Sequence, residues 1–281
     1  MAQPRKHHYL PQFYLRGFSP NGRSIFQIEK TPSRGYLCSI RDAAAIRDYH
    51  ELDYSDAEDP HVIEKRLAEI EGQFSRTLTD VVQSGITSTE VHVGLIEFVA
   101  LMKFRVPAFK TYIEESLRQS VRSVGMIMER KGALPPIPKG FEGMLRMDRA
   151  KISISNWKCL EFMFELATDP RLLRLLLAMR PSILRAKDRE SLLTCDQPVA
   201  LFHPEASARD PYGTGLADPR TELSLPLTSQ VLLRLTWDKR SREDRALTAA
   251  EVREFNRRTV VMAHGLVFAP NASETTVAFV A

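Results

Sequence analysis

The chain has 281 residues, 43% of them hydrophobic and 26% charged, which excludes a disordered or fibrous polymer and leaves material for a large core. A formal charge of +4 with a pI near 9.0 admits nucleic acid or a nucleotide as partner without requiring either. Cys38, Cys159 and Cys195 stand far apart with no CxxC, which argues against a disulfide framework or a cysteine-ligated zinc site and suits a reducing compartment.

The first residues are polar and basic and run into aromatics without an apolar h-region, so no secretory signal is expected. The most apolar window, Leu172 to Met179, is too short to span a bilayer; a cytoplasmic protein with no membrane partner is expected. Arg5-Lys-His-His-Tyr-Leu-Pro-Gln-Phe-Tyr-Leu-Arg-Gly-Phe-Ser19 concentrates adjacent histidines, aromatics, a proline and cations as no other window does. Next, Ile25, Phe26 and Ile28, a turn-rich Thr31 to Gly35, and Gly35 to Ile40 predict a β-hairpin whose loop exceeds two residues.

Asp59-Pro60 announces a helix, with aspartate as N-cap and proline in the first turn. Ile63, Leu67, Ile70, Phe74, Leu78 and Val81 recur at helical spacing and form one apolar stripe. Glu64 and Glu71 fall at the edge of that stripe, either as a solvated flank paired with Lys65 or Arg66 or, for Glu64, as a catalytic carboxylate. Thr87-Ser-Thr-Glu90 has the pattern of a capping box opening a second helix with Val91, Leu95, Phe98 and Met102 on one face. Arg105 is in phase with that face. A cation there is costly unless paired, so Arg105 predicts a buried carboxylate or bound anion, unless its head snorkels to water. Pro107 breaks the helix, and Ile113, Leu117, Val121, Val124 and Met128 then form another stripe ending at Gly132.

Ala133 to Gly143, with its prolines and glycines, reads as a linker and a soft subdomain boundary within a single domain over 1–281. Trp157 to Leu166 is helical, Asp169-Pro170 restarts a helix through Met179, and Pro181 stops it. Ser182 to Lys187 and Ser191 to Thr194 flank Asp188-Arg-Glu190 as a hairpin, which Cys195-Asp-Gln-Pro198 breaks and Val199 to Phe202 resumes. His203 to Pro219 is a long loop. Glu222 to Leu225 and Val231 to Thr236 are strands, and Thr248-Ala-Ala-Glu251 caps a helix carrying Val252, Phe255, Asn256 and Thr259. Gly265 to Ala269 and Thr275 to Val280 read as further strands. The class is α+β: an N-terminal β-hairpin, a central helical bundle and a C-terminal, mainly antiparallel sheet with one helix.

His7 to Phe18 resembles the opening signature HHYxPQFYLRxF of a widespread bacterial family of unknown function, domain-of-unknown-function family 4238. Ile63 to Glu71 is similar to its IExxLxxIE helix, and Phe98 to Pro107 to its FxAxxxxRxP segment, with Arg105 at the arginine. Thr194-Cys-Asp-Gln-Pro-Val199 resembles its TSDxPV turn, with Cys195 in place of serine; Leu225 to Thr228 resembles its PLS strand start, and Asn256 stands at a helical asparagine. The matches keep the family order over most of the chain. The resemblance implies an architecture and no activity.

Adjacent histidines point to opposite sides of a strand, or about 100° apart on a helix, so His7 and His8 do not easily form a chelating pair; one works while the other orients or packs, or both cap a tucked segment. Asp196 before a proline turn is a catalytic carboxylate or an Asx-turn former. Arg16 and Arg105 are candidate anion ligands, and Asn256 binds substrate or a backbone carbonyl. P-loop, GxGxxG, GxSxG and HExxH signatures are missing, and nothing local activates Cys195. Gathered in one cleft, His7, His8 and Asp196 as catalytic groups with Arg16, Arg105 and Asn256 on the substrate would suit phosphodiester hydrolysis, with a divalent metal compatible but not implied. The competing expectation is a non-catalytic binding or regulatory module in which the opening motif is a structural plug. An open pocket holding the histidines with Arg105 and Asp196 favours the enzyme; histidines sealed under Phe13 and Phe18 favour the plug.

Overall fold

The computed structural model describes residues 6–51, 62–134, 150–187, 190–205, 215–238 and 244–281. Among them lie three sheets and a helical middle, the expected α+β class. A two-stranded ribbon pairs β1 (Lys6–His8) antiparallel with β4 (Ala45–Arg47). A four-stranded sheet runs β3 (Ser33–Ser39), β2 (Ser24–Lys30), β11 (Leu266–Ala269), β6 (Thr194–Cys195). A five-stranded sheet runs β10 (Asp244–Ala246), β5 (Arg180–Arg185), β9 (Val231–Thr236), β8 (Glu222–Pro226), β7 (Ala200–Phe202), and its β10–β5 pair is parallel.

The helices are α1 (Gln12–Arg16), α2 (Val62–Ser84), α3 (Thr89–Phe104), α4 (Pro107–Arg130), α5 (Asn156–Ala167), α6 (Pro170–Ala178), α7 (Ala249–Met262) and α8 (Glu274–Val280). The α2 stripe is buried at Ile63, Leu67, Phe74, Leu78 and Val81, as its spacing predicts. Helix α3 is buried nearly all round, from Leu95 through Met102, because it packs on α2, α5 and α6. It ends at Phe104, and Pro107 opens α4, where its missing N–H costs nothing. No single helix among the described residues is long and apolar enough to cross a membrane.

Several local expectations fail for identifiable reasons. The β2–β3 loop is two residues, Thr31-Pro32, since Lys30 pairs with Ser33. That hairpin is also no separate unit, because β11 pairs with β2 and joins it to the end of the chain. The N-cap of α3 is Ser88, which accepts from the Val91 N–H, one residue after the expected Thr87. Pro181 lies inside β5, the preceding helix having already ended at Ala178. β5 pairs with β9 and β10, so the proposed hairpin with Ser191 to Thr194 does not form; β6 and β7 then belong to different sheets. Thr275 to Val280 is helical, and the α4 stripe leaves Val121, Val124 and Met128 exposed. The capping box at Thr248 and Glu251 forms as expected. Asp59-Pro60, most of the 133–143 linker, 188–189 and much of the 203–219 loop lie outside the described residues.

The opening segment threads between the two larger sheets. Leu10, Tyr14, Leu15 and Phe18 are fully buried. The Tyr14 hydroxyl donates to the Pro226 carbonyl of β8 at 2.8 Å, so the Thr194 hydroxyl of β6, 2.6 Å away, donates to the phenol oxygen. Gly17 lies so close to the next turn that a Cβ would stand 3.0 Å from Thr228 and 3.1 Å from the Leu227 carbonyl. Its carbonyl accepts from the Ser229 N–H at 2.9 Å. Tyr14→Phe would leave a buried hydroxyl and a buried carbonyl without this partner. We predict a loss of about 1–3 kcal/mol in urea-unfolding free energy.

Candidate functional site

β1 sends its adjacent histidines into different surroundings. His7 is 4% exposed, and its Nδ1 accepts the His50 backbone N–H at 2.8 Å. With that lone pair engaged, neutral His7 carries its proton on Nε2. The His7 and His50 rings stack, centroids 5.4 Å apart. His50 is itself buried and its Nδ1 lies 2.8 Å from the Glu64 carboxylate, while its Nε2 is buried with no hydrogen-bond partner. Burial pushes the His50 pKa down to about 4; the Glu64 hydrogen bond opposes the shift, and Arg105 and His7 reinforce it. His50 is therefore neutral near pH 7, donating Nδ1–H to Glu64 and holding a lone pair on Nε2. Burial works against ionisation of Glu64, but the His50 hydrogen bond and the surrounding positive groups override it and hold its pKa below the usual range.

Arg105 caps the C-terminus of α3 and is 1% exposed. It finds a carboxylate, partly exposed and not buried as expected: Nη2 donates to Glu71, 26% exposed, and to the His8 carbonyl, each at 2.8 Å. Its Nε and Nη1 are buried without partners. The arginine thus ties α2, α3 and β1 together through one nitrogen. The expected flank role of Glu64 and Glu71 is replaced by hydrogen bonds to His50 and Arg105, made by residues that the stripe had left at its edge.

His8 is half-buried, with Nε2 3.3 Å from the Ile40 carbonyl, which fixes the ring proton there and leaves Nδ1 with the lone pair. Burial lowers its pKa, opposed by the Ile40 and Arg41 carbonyls. It lines a groove of about 370 Å³ with Gln12, Phe13 and Arg16 from the α1 segment and Glu64, Glu71, Gly72 and Ser75 from α2. The short α1 places Gln12 and Arg16 one turn apart, with Arg16 Nη2 3.4 Å from the Gln12 carbonyl oxygen, while Tyr14 and Leu15 enter the core. The opening motif divides accordingly, its apolar members holding the fold while His8, Gln12, Phe13 and Arg16 face the groove.

Asp196 and Asn256 do not join this site. Asp196 accepts backbone N–H groups from His264, Gly265 and Leu266 at 2.8, 2.8 and 3.0 Å, pinning the turn between α7 and β11. Asn256 accepts from the Leu193 N–H and donates to the Ser191 carbonyl, both at 2.9 Å. It borders a separate groove with Arg253, Ser273 and Thr276. Cys195 is fully buried, and burial raises its thiol pKa far above the range of a nucleophile. His50, by contrast, escaped the sequence reading, being a lone histidine with no partner at metal-ligand or helical spacing.

One ligand atom from each of His7, His50 and Glu64 lies within 4.8 Å of the others. The trio fits a divalent cation poorly. A backbone N–H occupies the His7 Nδ1, His50 leaves only its Nε2 lone pair because Nδ1–H goes to Glu64, and the Arg105 guanidinium stands near enough to disfavour positive charge there.

The family model described as protein of unknown function (DUF4238) matches residues 6–273, which include both walls of the groove. No curated protein and no solved structure matches the chain.

The depressed His50 pKa sets a direction for stability against pH. The unfolded ring takes up its proton near 6.5 and the folded ring near 4, so the contribution is complete above pH 6.5 and is lost as pH falls toward 4. Glu64, also lowered, adds a loss of the same sign at lower pH. Unfolding free energy should drop by on the order of 2 kcal/mol between about pH 7.5 and 5, and His50→Asn should flatten the slope. At neutral pH, Glu71→Ala strands the Arg105 cation and should cost roughly 3 kcal/mol by chemical denaturation, with Glu71→Gln costing less because it keeps an acceptor.

Proposed function

The chain belongs to the DUF4238 family of proteins of unknown function, and from the groove it carries we propose that it is a nuclease-like phosphodiesterase. The observation that carries this reading is a neutral imidazole on the rim of an open groove beside an exposed arginine whose hydrogen bond goes to Gln12. His8 has its Nε2 proton engaged by the Ile40 carbonyl and a pKa lowered by burial, so its Nδ1 is a base at neutral pH. Arg16 is exposed on the same groove and suits a phosphate oxygen. Arg105 holds the His8 carbonyl and so fixes the strand that carries the base.

In this mechanism the Nδ1 of His8 takes a proton from a water molecule whose oxygen attacks phosphorus. The bond from phosphorus to the leaving oxygen breaks on the opposite face, and Arg16 offsets the charge that develops on the phosphoryl oxygens. The leaving oxygen takes its proton from solvent water, and the imidazolium gives its proton up to solvent. Glu64 and Glu71 act on the site through His50 and Arg105, holding those groups in place. His7 and Asp196 drop out of the catalytic set, the first occupied by the His50 backbone and the second by three backbone donors. A cytoplasmic setting belongs to the same reading, supported by three cysteines none of which is in a disulfide.

A non-catalytic binding module is the second reading, favoured by the burial of Tyr9, Leu10, Tyr14, Leu15 and Phe18, which makes most of the opening motif structural. His8→Ala separates the two. Under the phosphodiesterase reading it lowers hydrolysis of a short single-stranded oligonucleotide by about 100-fold or more, with melting temperature and circular dichroism preserved. Full activity in a folded His8→Ala protein would sink the assignment of His8. Wild-type protein that binds the strand and never cleaves it would establish the binding module.

A further inference from the structure

Gly72 stands within the 23-residue helix α2, on the wall of the groove that holds Glu71 and Ser75. Glycine is among the poorest helix formers, so its place there calls for a reason. Two ordinary reasons fail. It is not among the glycines with positive φ, so no left-handed backbone requires it. A Cβ added at Gly72 would meet no protein atom within 4 Å, so packing does not require it either; in α3, by contrast, a Cβ at Gly94 would stand 3.1 Å from the Thr77 hydroxyl. What the missing side chain leaves open is the groove itself.

We infer that Gly72 is a clearance position at which a bound single-stranded oligonucleotide crosses α2. The inference rests on the phosphodiesterase reading and adds the path of its substrate. The groove's polarity supports that path. Its exposed cation, Arg16, comes from α1, whereas α2 contributes Glu64, about two turns before the glycine, and Glu71, its immediate neighbour. Carboxylates repel phosphate and accept from N–H and O–H donors, so the phosphate belongs at Arg16 and a sugar or base edge belongs over α2. Phe13, half-buried in the same groove, offers a ring face for stacking a base, the sequence-tolerant contact of single-strand binders. Gly72 is thus a specificity-determining position, and its effect is on binding, not on the reacting atoms.

The test compares wild type, Gly72→Ala, Gly72→Gln and Arg16→Ala by fluorescence anisotropy with a labelled five-nucleotide single strand, each protein melted in parallel. Both glycine replacements are expected to melt at or above the wild-type temperature, since each improves the helix and meets open space. Gly72→Gln should weaken oligonucleotide binding by at least about tenfold, and Gly72→Ala by a smaller factor. Should Gly72→Gln melt lower than wild type, Gly72→Ala decides alone. Arg16→Ala losing the strand while both folded glycine variants bind within twofold of wild type would overturn the clearance role and leave the phosphodiesterase reading standing. Wild-type protein that fails to bind the strand would overturn both.

Discussion

A tyrosine hydroxyl that must find two partners in the dry interior is the constraint around which this fold closes. Tyr14 reaches Thr194 on one sheet and Pro226 on the other, so a side chain from the opening segment links two sheets that share no strand pairing among the described residues. A buried hydroxyl without partners costs more than its hydrogen bonds return, which makes the geometry close to all-or-none. Gly17 and the Ser229 N–H bring the same segment against the turn after β8. With Leu10, Leu15 and Phe18 seated around that anchor, the remaining face of the segment is left toward α2, and the groove is the space between them.

Electrostatics then sets what that space can do. Arg105 sits in a core that could not accept its charge alone, and Glu71 reaches it from the edge of the α2 stripe. The same guanidinium grips the backbone of His8, so the charge pair fixes a strand as well as satisfying itself. Beside it Glu64 holds His50, whose ring supports His7 by stacking. Six titratable or charged side chains, His7 and His8 of β1, His50 after β4, Glu64 and Glu71 of α2, and Arg105 at the end of α3, therefore share one location, and the histidine most open to the groove is His8.

Much of this was legible in the residues, and the part that was not has physical reasons. The α2 stripe, the break at Pro107 and the cap at Thr248 are local matters of period, missing N–H and side-chain reach, and each forms where the sequence places it. Arg105 could be read as needing a carboxylate because a core face tolerates no lone cation, although which carboxylate depended on how α2 and α3 pack. Pairing partners were beyond reach. Thr194 bonds to a strand more than seventy residues later, which no turn signal near it reveals. Asp196 and Asn256 look chemical in the sequence because both are polar at a break or in a helix, and both are consumed by backbone groups that lie far along the chain. His50 had no signal, since its partners Glu64 and His7 are set by tertiary contact alone.

The pairing of β2 with β11 has a consequence for how the molecule is made. Phe26 lies opposite Ala269 and Glu29 opposite Leu266, so the four-stranded sheet closes only when segments far apart in the chain meet. Until they meet, β6, which carries the Thr194 partner of Tyr14, lacks the strand it pairs with. Such long-range closure makes for slow folding and exposes a nascent chain to aggregation, the condition in which chaperones engage. The groove that carries His8 therefore leans on a pairing between segments distant in the chain, although its own lining residues all fall between His8 and Ser75.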